Sequence, residues 1–228
     1  MTLRAVLALR EADKILAYRT YAELIQPVVR DKEVIVSGMR QEVERARQAL
    51  QLARQGYRVA VVSSGDAGLY GMAGIVLEVL DREGEETVEV EVVPGVSSAF
   101  AAAALLGAPL MHDTAFISLS DLLTPQEDIR RRLEKAAEGD FVVALYNPVS
   151  HRRTRLIREA VDVFRRFRRP DTPVGIVRHA MREGQEVTIT TLEKLLDHTL
   201  DMFTLIIVGN SQTYVAGGRM ITPRGYKL

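Results

Sequence analysis

In the first half of the chain, short β-branched runs alternate with stretches whose apolar positions recur at helical spacing. This is the pattern of a mainly parallel sheet with helices on its faces. Val34-Ile35-Val36 is one such run, and Val43, Ala46, Ala49, Leu50 and Ala53 behind it mark one face of a helix that Gly56 ends. Val59-Ala60-Val61-Val62 predicts a buried strand that runs straight into the small-residue loop Ser63-Ser64-Gly65-Asp66-Ala67-Gly68. Helix returns over 72–80 and strand over 88–93, and Pro94-Gly95 turns the chain into an Ala-rich helix from Ser98 to Leu106.

The second half changes character. Strands are expected over 115–118, 141–146, 174–177, 187–189 and 205–208, and only one short helix, around 192–196, interrupts the last three. Between them, Thr124-Pro125-Gln126-Glu127 reads as N-cap Thr, N1 Pro and N3 Glu, opening a helix that Gly139 stops. Leu156, Ile157, Ala160, Val161, Phe164 and Phe167 line one face of another helix. So strand-rich an end predicts a mixed sheet. The pattern shifts between Leu110 and Asp113, which sets an expected boundary between an N-terminal α/β domain at 1–111 and a C-terminal α/β domain at 112–228. The cleft between them is the default ligand site.

Composition narrows the function. Lys plus Arg and Asp plus Glu are both 30, so no net field draws the surface onto nucleic acid or anionic lipid. The lack of cysteine removes disulfides, thiolate nucleophiles and Cys-type metal sites. No apolar run reaches membrane-spanning length and the opening stretch is charged and amphipathic, so a cytoplasmic enzyme is expected.

Glycines at the carboxyl end of a buried strand let a ligand approach the backbone, so Gly65-Asp66-Ala67-Gly68 is a candidate cofactor loop, although such loops are more often plain turns. The chain has no Gly-x-Gly-x-x-Gly dinucleotide fingerprint, no P-loop and no Gly-x-Ser-x-Gly nucleophile elbow.

The loop becomes specific in its company. SSGDAGLYGM is followed in order by VVPGVSSAFAAAALLGAPL, HDTAFISLSDLLTP, ALYNP, TPVGIVRHA, ITTL and MFTLIIVGNSQT. This series resembles the tetrapyrrole methylases over essentially the whole chain. SLSDLLTP, ALYNP, IVGNSQT and the final GGRMITPRGY resemble the branch that methylates C-17 of precorrin-3B.

The resemblance implies a two-domain α/β fold with S-adenosyl-L-methionine in the interdomain cleft, a small-molecule tetrapyrrole substrate and a homodimer, with neither nucleic acid nor membrane as partner. Carried over by motif, the cofactor-binding positions are Ser64, Gly65, Asp66 and Leu69 around the loop, Ser97 and Ser98 after the Pro-Gly turn, Tyr146, and Ala180. The family has Pro at the position of Ala67, which costs the loop some rigidity. It also begins with a strand and a Gly-x-Gly-Pro-Gly turn ahead of a Thr-Pro-x-Ala segment, and that segment falls on Thr2-Leu3-Arg4-Ala5. The strand and turn therefore have no counterpart in these residues, which implies either a later start than the family's or a truncated member.

Methyl transfer from a sulfonium needs alignment more than a catalytic triad. Contraction of the macrocycle, which accompanies C-17 methylation in that branch, moves protons and calls for an acid or base. The candidates are Asp121, His112 and Asp113, with Ser118 and Ser120 as hydrogen-bonding partners. Each has a plainer reading: Asp121 as a turn residue, the serines as strand-end residues, His112 as structural. Asn147 before Pro148 is ordinary turn chemistry. Arg152, Arg153, Arg155, Arg158, Arg165, Arg166, Arg168 and Arg169 form the one strongly basic stretch, read chiefly as a solvated helix face, whereas Arg178 and His179 are the better candidates for polar ligand contacts. No metal site is expected. A sister methylase acting at another ring position, a relative modifying ribosomal RNA or diphthamide, and a non-catalytic cofactor-binding module remain as alternatives.

Overall fold

The computed structural model describes residues 1–84, 87–149 and 154–227. Arg152 and Arg153 lie outside the described residues. The chain divides into two compact units, Met1–Ser97 and Ser98–Leu228.

The first unit runs α1 (Leu3–Glu11), β1 (Lys14–Tyr18), α2 (Arg19–Ile25), β2 (Val34–Ser37), α3 (Glu42–Arg54), β3 (Val59–Val61) and α4 (Ala73–Arg82). Its three strands pair in parallel in the order β2-β1-β3. The sequence pattern does not single out β1, the central strand: its apolar stretch is only Ile15-Leu16-Ala17 between Lys14 and Tyr18, yet all three are fully buried. Thr2 caps α1 by accepting from the Ala5 N–H at 3.2 Å, so the Thr2-Leu3-Arg4-Ala5 segment does open a helix.

The run 88–93 is a correction. Val88 and Val90 pack against the apolar cluster of α3 and α4, as a strand's inner residues would, but the run forms no ladder among the described residues. Alternating valines predict a strand's burial pattern; a hydrogen-bonded neighbour is what makes it one.

The second unit begins with α5 (Ser98–Leu106) and β4 (Gly107–Ala108), then β5 (Thr114–Ser118), α6 (Gln126–Glu138), β6 (Val142–Tyr146) and α7 (Arg155–Arg165). After them come β7 (Pro173–Arg178), β8 (Glu186–Thr191), a 3-10 helix (Leu192–Asp197), β9 (Thr204–Val208), β10 (Tyr214–Ala216) and β11 (Arg219–Ile221). The main sheet has the order β5-β6-β9-β7-β8, with β5 and β6 parallel and the other pairs antiparallel, the mixed sheet that the strand-rich pattern predicts.

One face of this sheet packs on α6 and α7 through Ile129, Leu133, Ile157, Val161 and Phe164. The other face takes α5 through Ala99, Ala102 and Leu106, all 0 % exposed. Gly175 on β7 leaves the room that the Leu106 side chain occupies. This packing draws α5 into the second unit and puts the division at Ser97/Ser98 rather than at 111/112, where the strand pattern changes.

Two further boundaries differ from those expected of the sequence. The cap of α6 is Pro125, not Thr124, and it makes no side-chain cap hydrogen bond; Gln126 instead donates to Asp121 at 2.7 Å. Phe167 lies beyond α7, whose last residue is Arg165.

Candidate functional site

In the first unit, β3 ends where the backbone must make room for a close neighbour. Gly65 has a positive φ of 69°, and a Cβ on Gly95 would overlap the carbonyl oxygen of Gly65. The 94–97 turn and the 64–69 loop therefore touch backbone to backbone, an approach that requires glycine.

Asp66 fixes this arrangement. One carboxylate oxygen accepts from the Gly95 N–H at 2.9 Å and the other from the Gly68 N–H at 2.8 Å. Bonds from Gly95, then Gly68, hold its carboxyl below the usual carboxylate range; burial opposes them, and a further bond from Leu69 adds to the lowering. The loop's exit is held as well, because Ser63 accepts from the Met72 N–H at 2.9 Å and Ala67 accepts from the Ala73 N–H at 3.0 Å. Ala67, where the family has Pro, thus sits in a loop tied at both ends by hydrogen bonds. Sequence reasoning misses Ser63 and Gly95 as supporting residues; the Pro94-Gly95 pair marks a turn, but only the fold shows what that turn faces.

In the second unit, Tyr146 and Ala180 are brought together with Ala99, the residue after Ser98. Ser98 opens α5, and the next residue, Ala99, donates its backbone N–H to the Tyr146 hydroxyl oxygen at 3.2 Å. The first N–H groups of a helix lack intrahelical acceptors, so Tyr146 at the end of β6 acts as a remote cap. Tyr146 and Ala180 both pack against the cluster containing Ala99, Val142, Val177 and Leu205.

Strand directions place most of the remaining candidates along one edge of the main sheet. Parallel pairing sets Ser118 beside Tyr146, and antiparallel pairing sets Arg178 beside Thr204. Asn147, left-handed at φ 53°, donates its side-chain N–H to the Ser118 hydroxyl at 3.0 Å, and the Ser120 N–H donates to the same oxygen at 3.3 Å. Asp121 follows directly.

His179, also left-handed at φ 49°, stacks on Phe203 at 4.8 Å between ring centroids. Arg178 is engaged, with Asp201 at 2.7 Å and Glu186 at 3.3 Å. Burial pushes the Asp201 carboxyl up, but hydrogen bonds from Arg178 and Thr204 outweigh it and leave the group lowered.

His112 and Asp113 do not join this group. They precede β5, whose residues Thr114 to Ser118 put roughly 13 Å of strand between them and Ser118. Asp113 spends its carbonyl on the Val142 N–H at the start of β6, and His112 accepts from the Asp113 N–H at 2.9 Å. The basic stretch is mostly a paired surface: Arg155 with Glu159, Arg165 with Asp162, Arg166 with Glu134 and Arg169 with Asp171. Arg168 is the exception, buried at 7 % exposure and bonded to the Ala137 carbonyl at 2.7 Å and to Asp140 at 3.0 Å.

A family model of Tetrapyrrole (Corrin/Porphyrin) Methylases matches residues 1–196. A cobalt-factor III methyltransferase of Priestia megaterium is 52 % identical over 100 % of this chain, which spans 43 % of that protein's length. A probable cobalt-factor III C(17)-methyltransferase of Salmonella typhimurium is 48 % identical over 100 % of this chain and 94 % of its own.

Among solved structures, that of the methyltransferase CobJ has a TM-score of 0.90 at 36 % identity, covering 98 % of this chain and 93 % of the other. A uroporphyrin-III C-methyltransferase from Thermus thermophilus, complexed with S-adenosylhomocysteine, has a TM-score of 0.68 at 27 % identity, covering 92 % and 90 %. On a match over most of its length and relatives of about half identity, this chain belongs to the tetrapyrrole methylases.

Proposed function

We propose that this chain transfers a methyl group from S-adenosylmethionine to C-17 of a corrin-pathway tetrapyrrole, with contraction of the macrocycle, and that cobalt-factor III is the acceptor. Support for the acceptor comes from two relatives of about half identity over the full chain, whose names carry that substrate. Cobalt enters as part of the substrate. A second reading, the cobalt-free precorrin-3B acceptor, keeps the same chemistry and residues.

The residues suit the cofactor. An adenine and an amino-acid moiety need backbone donors and acceptors with little side chain in the way, and the 64–69 loop offers that with Gly65, opposite Gly95, and Gly68. Ser64, Gly65, Asp66, Leu69, Ser97, Ser98, Tyr146 and Ala180 are the residues proposed to contact it. When bound, the sulfonium supplies a methyl group already activated for transfer.

Each residue then has a specific task. Asp66 orients the loop through its bonds to Gly95 and Gly68 and keeps its carboxylate occupied with protein N–H groups. Tyr146 holds the first turn of α5, so that Ser98 is presented from a fixed helix end. The Ser118 hydroxyl, receiving bonds from Asn147 and Ser120, is aligned to bond an acceptor substituent. Asp121 is the carboxylate next to Ser118 and Ser120 proposed to take and return a proton during contraction, while Gln126 holds one of its oxygens. Arg178 is placed to steer a substrate carboxylate while anchored to Asp201. His112, across the length of β5, is not assigned a proton-transfer role.

The observation that carries this reading is the convergence of Ala99 at the start of α5, Tyr146 at the end of β6 and Ala180 after β7 onto one cluster. The test is incubation of the full chain with S-adenosylmethionine and cobalt-factor III, followed by mass spectrometry. Gain of one methyl group and conversion of the cofactor to S-adenosylhomocysteine are expected; an unchanged macrocycle would refute the assignment. A homodimer in the cytoplasm remains the expected setting.

A further inference from the structure

The loop after β5 presents two leucines to solvent in a place where polar residues would ordinarily stand. Leu123 is 98 % exposed and Leu122 is 56 % exposed. Singly exposed leucines are common on protein surfaces and need no explanation. This pair differs in being held out from a fixed base. The Leu119 N–H donates to the Tyr146 carbonyl at 2.9 Å, carrying the β5–β6 pairing one residue past the strand. Gln126 then donates to Asp121 at 2.7 Å, closing residues 121–126 into a short loop with the leucines at its tip.

The loop leaves the sheet edge that also carries Ser118, Tyr146, Asn147 and His179. Two more apolar side chains belong to that edge: Phe203, 44 % exposed and stacked on His179, and Met181, 61 % exposed on a left-handed residue. A tetrapyrrole is a flat conjugated disc with carboxylates on its rim. Recognising it takes apolar contact on its face as well as hydrogen bonds and charge at its edge.

We propose that Leu122 and Leu123 are substrate-contacting, specificity-determining residues that cover the apolar face of the macrocycle. This rests on the methylase reading above. The pair contributes to holding the tetrapyrrole and not to holding the methyl donor, so the two ligands separate its effect from a general loss of structure.

The test compares the full chain with the double variants Leu122→Ser/Leu123→Ser and Leu122→Met/Leu123→Met. Cobalt-factor III binding is followed by its visible absorbance, S-adenosylhomocysteine binding by calorimetry, and turnover by methyl transfer. The serine variant is expected to raise KM and Kd for the tetrapyrrole roughly tenfold or more, with kcat little changed and S-adenosylhomocysteine affinity at the unmodified level. The methionine variant, apolar and close in volume, should restore tetrapyrrole binding.

Unchanged tetrapyrrole affinity in the serine variant would overturn the proposal, and so would equal loss in both variants. A change in sedimentation mass without a change in tetrapyrrole affinity would assign the leucines to contact between copies of the chain instead. If the unmodified chain neither binds nor methylates cobalt-factor III, the underlying function falls and this inference with it. Turnover by the unmodified chain with no effect of the serines removes the inference alone.

Discussion

The carboxylate of Asp66 accepts the backbone N–H of Gly95 at 2.9 Å, across 29 residues of chain, at a point where Gly95 lies too close to Gly65 for any side chain. Asp66 therefore acts as a clamp between two loops. The role proposed for it in cofactor binding is to position that backbone.

Asp66→Asn should destabilise the first unit by about 1–3 kcal/mol, the cost of weakening charged hydrogen bonds to backbone donors. It should also weaken S-adenosylhomocysteine binding. Urea unfolding and calorimetry measure the two effects, and loss of affinity without loss of stability would indicate direct contact instead.

The same bond sets a pH dependence. The folded Asp66 carboxyl is lowered by its bonds from Gly95 and Gly68. Its contribution to stability is thus fully present above the unfolded carboxylate value of about 4 and is lost as pH falls through the lower folded value. The difference in unfolding free energy between the parent chain and Asp66→Asn should be constant near neutrality and shrink as the medium is acidified below about pH 4. A difference that grows on acidification would contradict this sign.

Gly95→Ala places a methyl group against the Gly65 carbonyl, so the two loops must separate. A loss of about 1–3 kcal/mol is expected, as for overpacking elsewhere. Gly74→Ala, where a Cβ meets nothing within 4 Å, is the control and should be neutral or slightly stabilising because it lies in α4. Equal effects of the two substitutions would refute the close approach.

Tyr146→Phe keeps the ring and removes the acceptor of the Ala99 N–H. The expected stability loss is about 1 kcal/mol, with a measurable weakening of S-adenosylhomocysteine binding. Ser118→Ala and Asp121→Asn should lower turnover tenfold or more, within the usual contribution of general acid–base groups. His112→Ala should leave turnover within about twofold, because β5 separates it from those residues. A His112→Ala loss as large as that of Asp121→Asn would return His112 to the site.

Arg168→Ala removes a buried guanidinium that binds the Ala137 and Phe141 carbonyls and pairs with Asp140. A stability loss of about 2–4 kcal/mol is expected, the range for breaking a buried charged network. Arg166→Ala, an exposed partner of Glu134, should leave the unfolding midpoint where it is.

Much of this fold is legible in the sequence because its strands and helices have distinct periods. The Ser98–Leu106 helix, the strand ending at Tyr146 and the mixed character of the second sheet follow from residue pattern alone. What the pattern lacks is neighbours. Lys14–Tyr18 is too short an apolar run to stand out, yet it is central because β2 and β3 pair on either side of it. Val88 to Val93 has the right alternation and no ladder among the described residues.

The site divides in the same way. Motif order nominates Ser64, Gly65, Asp66, Tyr146 and Ala180 as candidates, whereas the clamp role of Asp66 and the capping role of Tyr146 depend on partners 29 and 47 residues away in sequence. His112 and Ser118 are both candidates by residue type, but they lie at opposite ends of β5, a separation that residue type does not show.

Cofactor binding through the Asp66 clamp and the Tyr146 cap is tested most sharply by calorimetric titration of the full chain with S-adenosylhomocysteine, with the Asp66→Asn/Tyr146→Phe double variant alongside. Saturable binding of one cofactor per chain is expected, weakened at least tenfold, or by about 1.4 kcal/mol, in the double variant. Equal affinity in both proteins, or no binding by the unmodified chain, would contradict it.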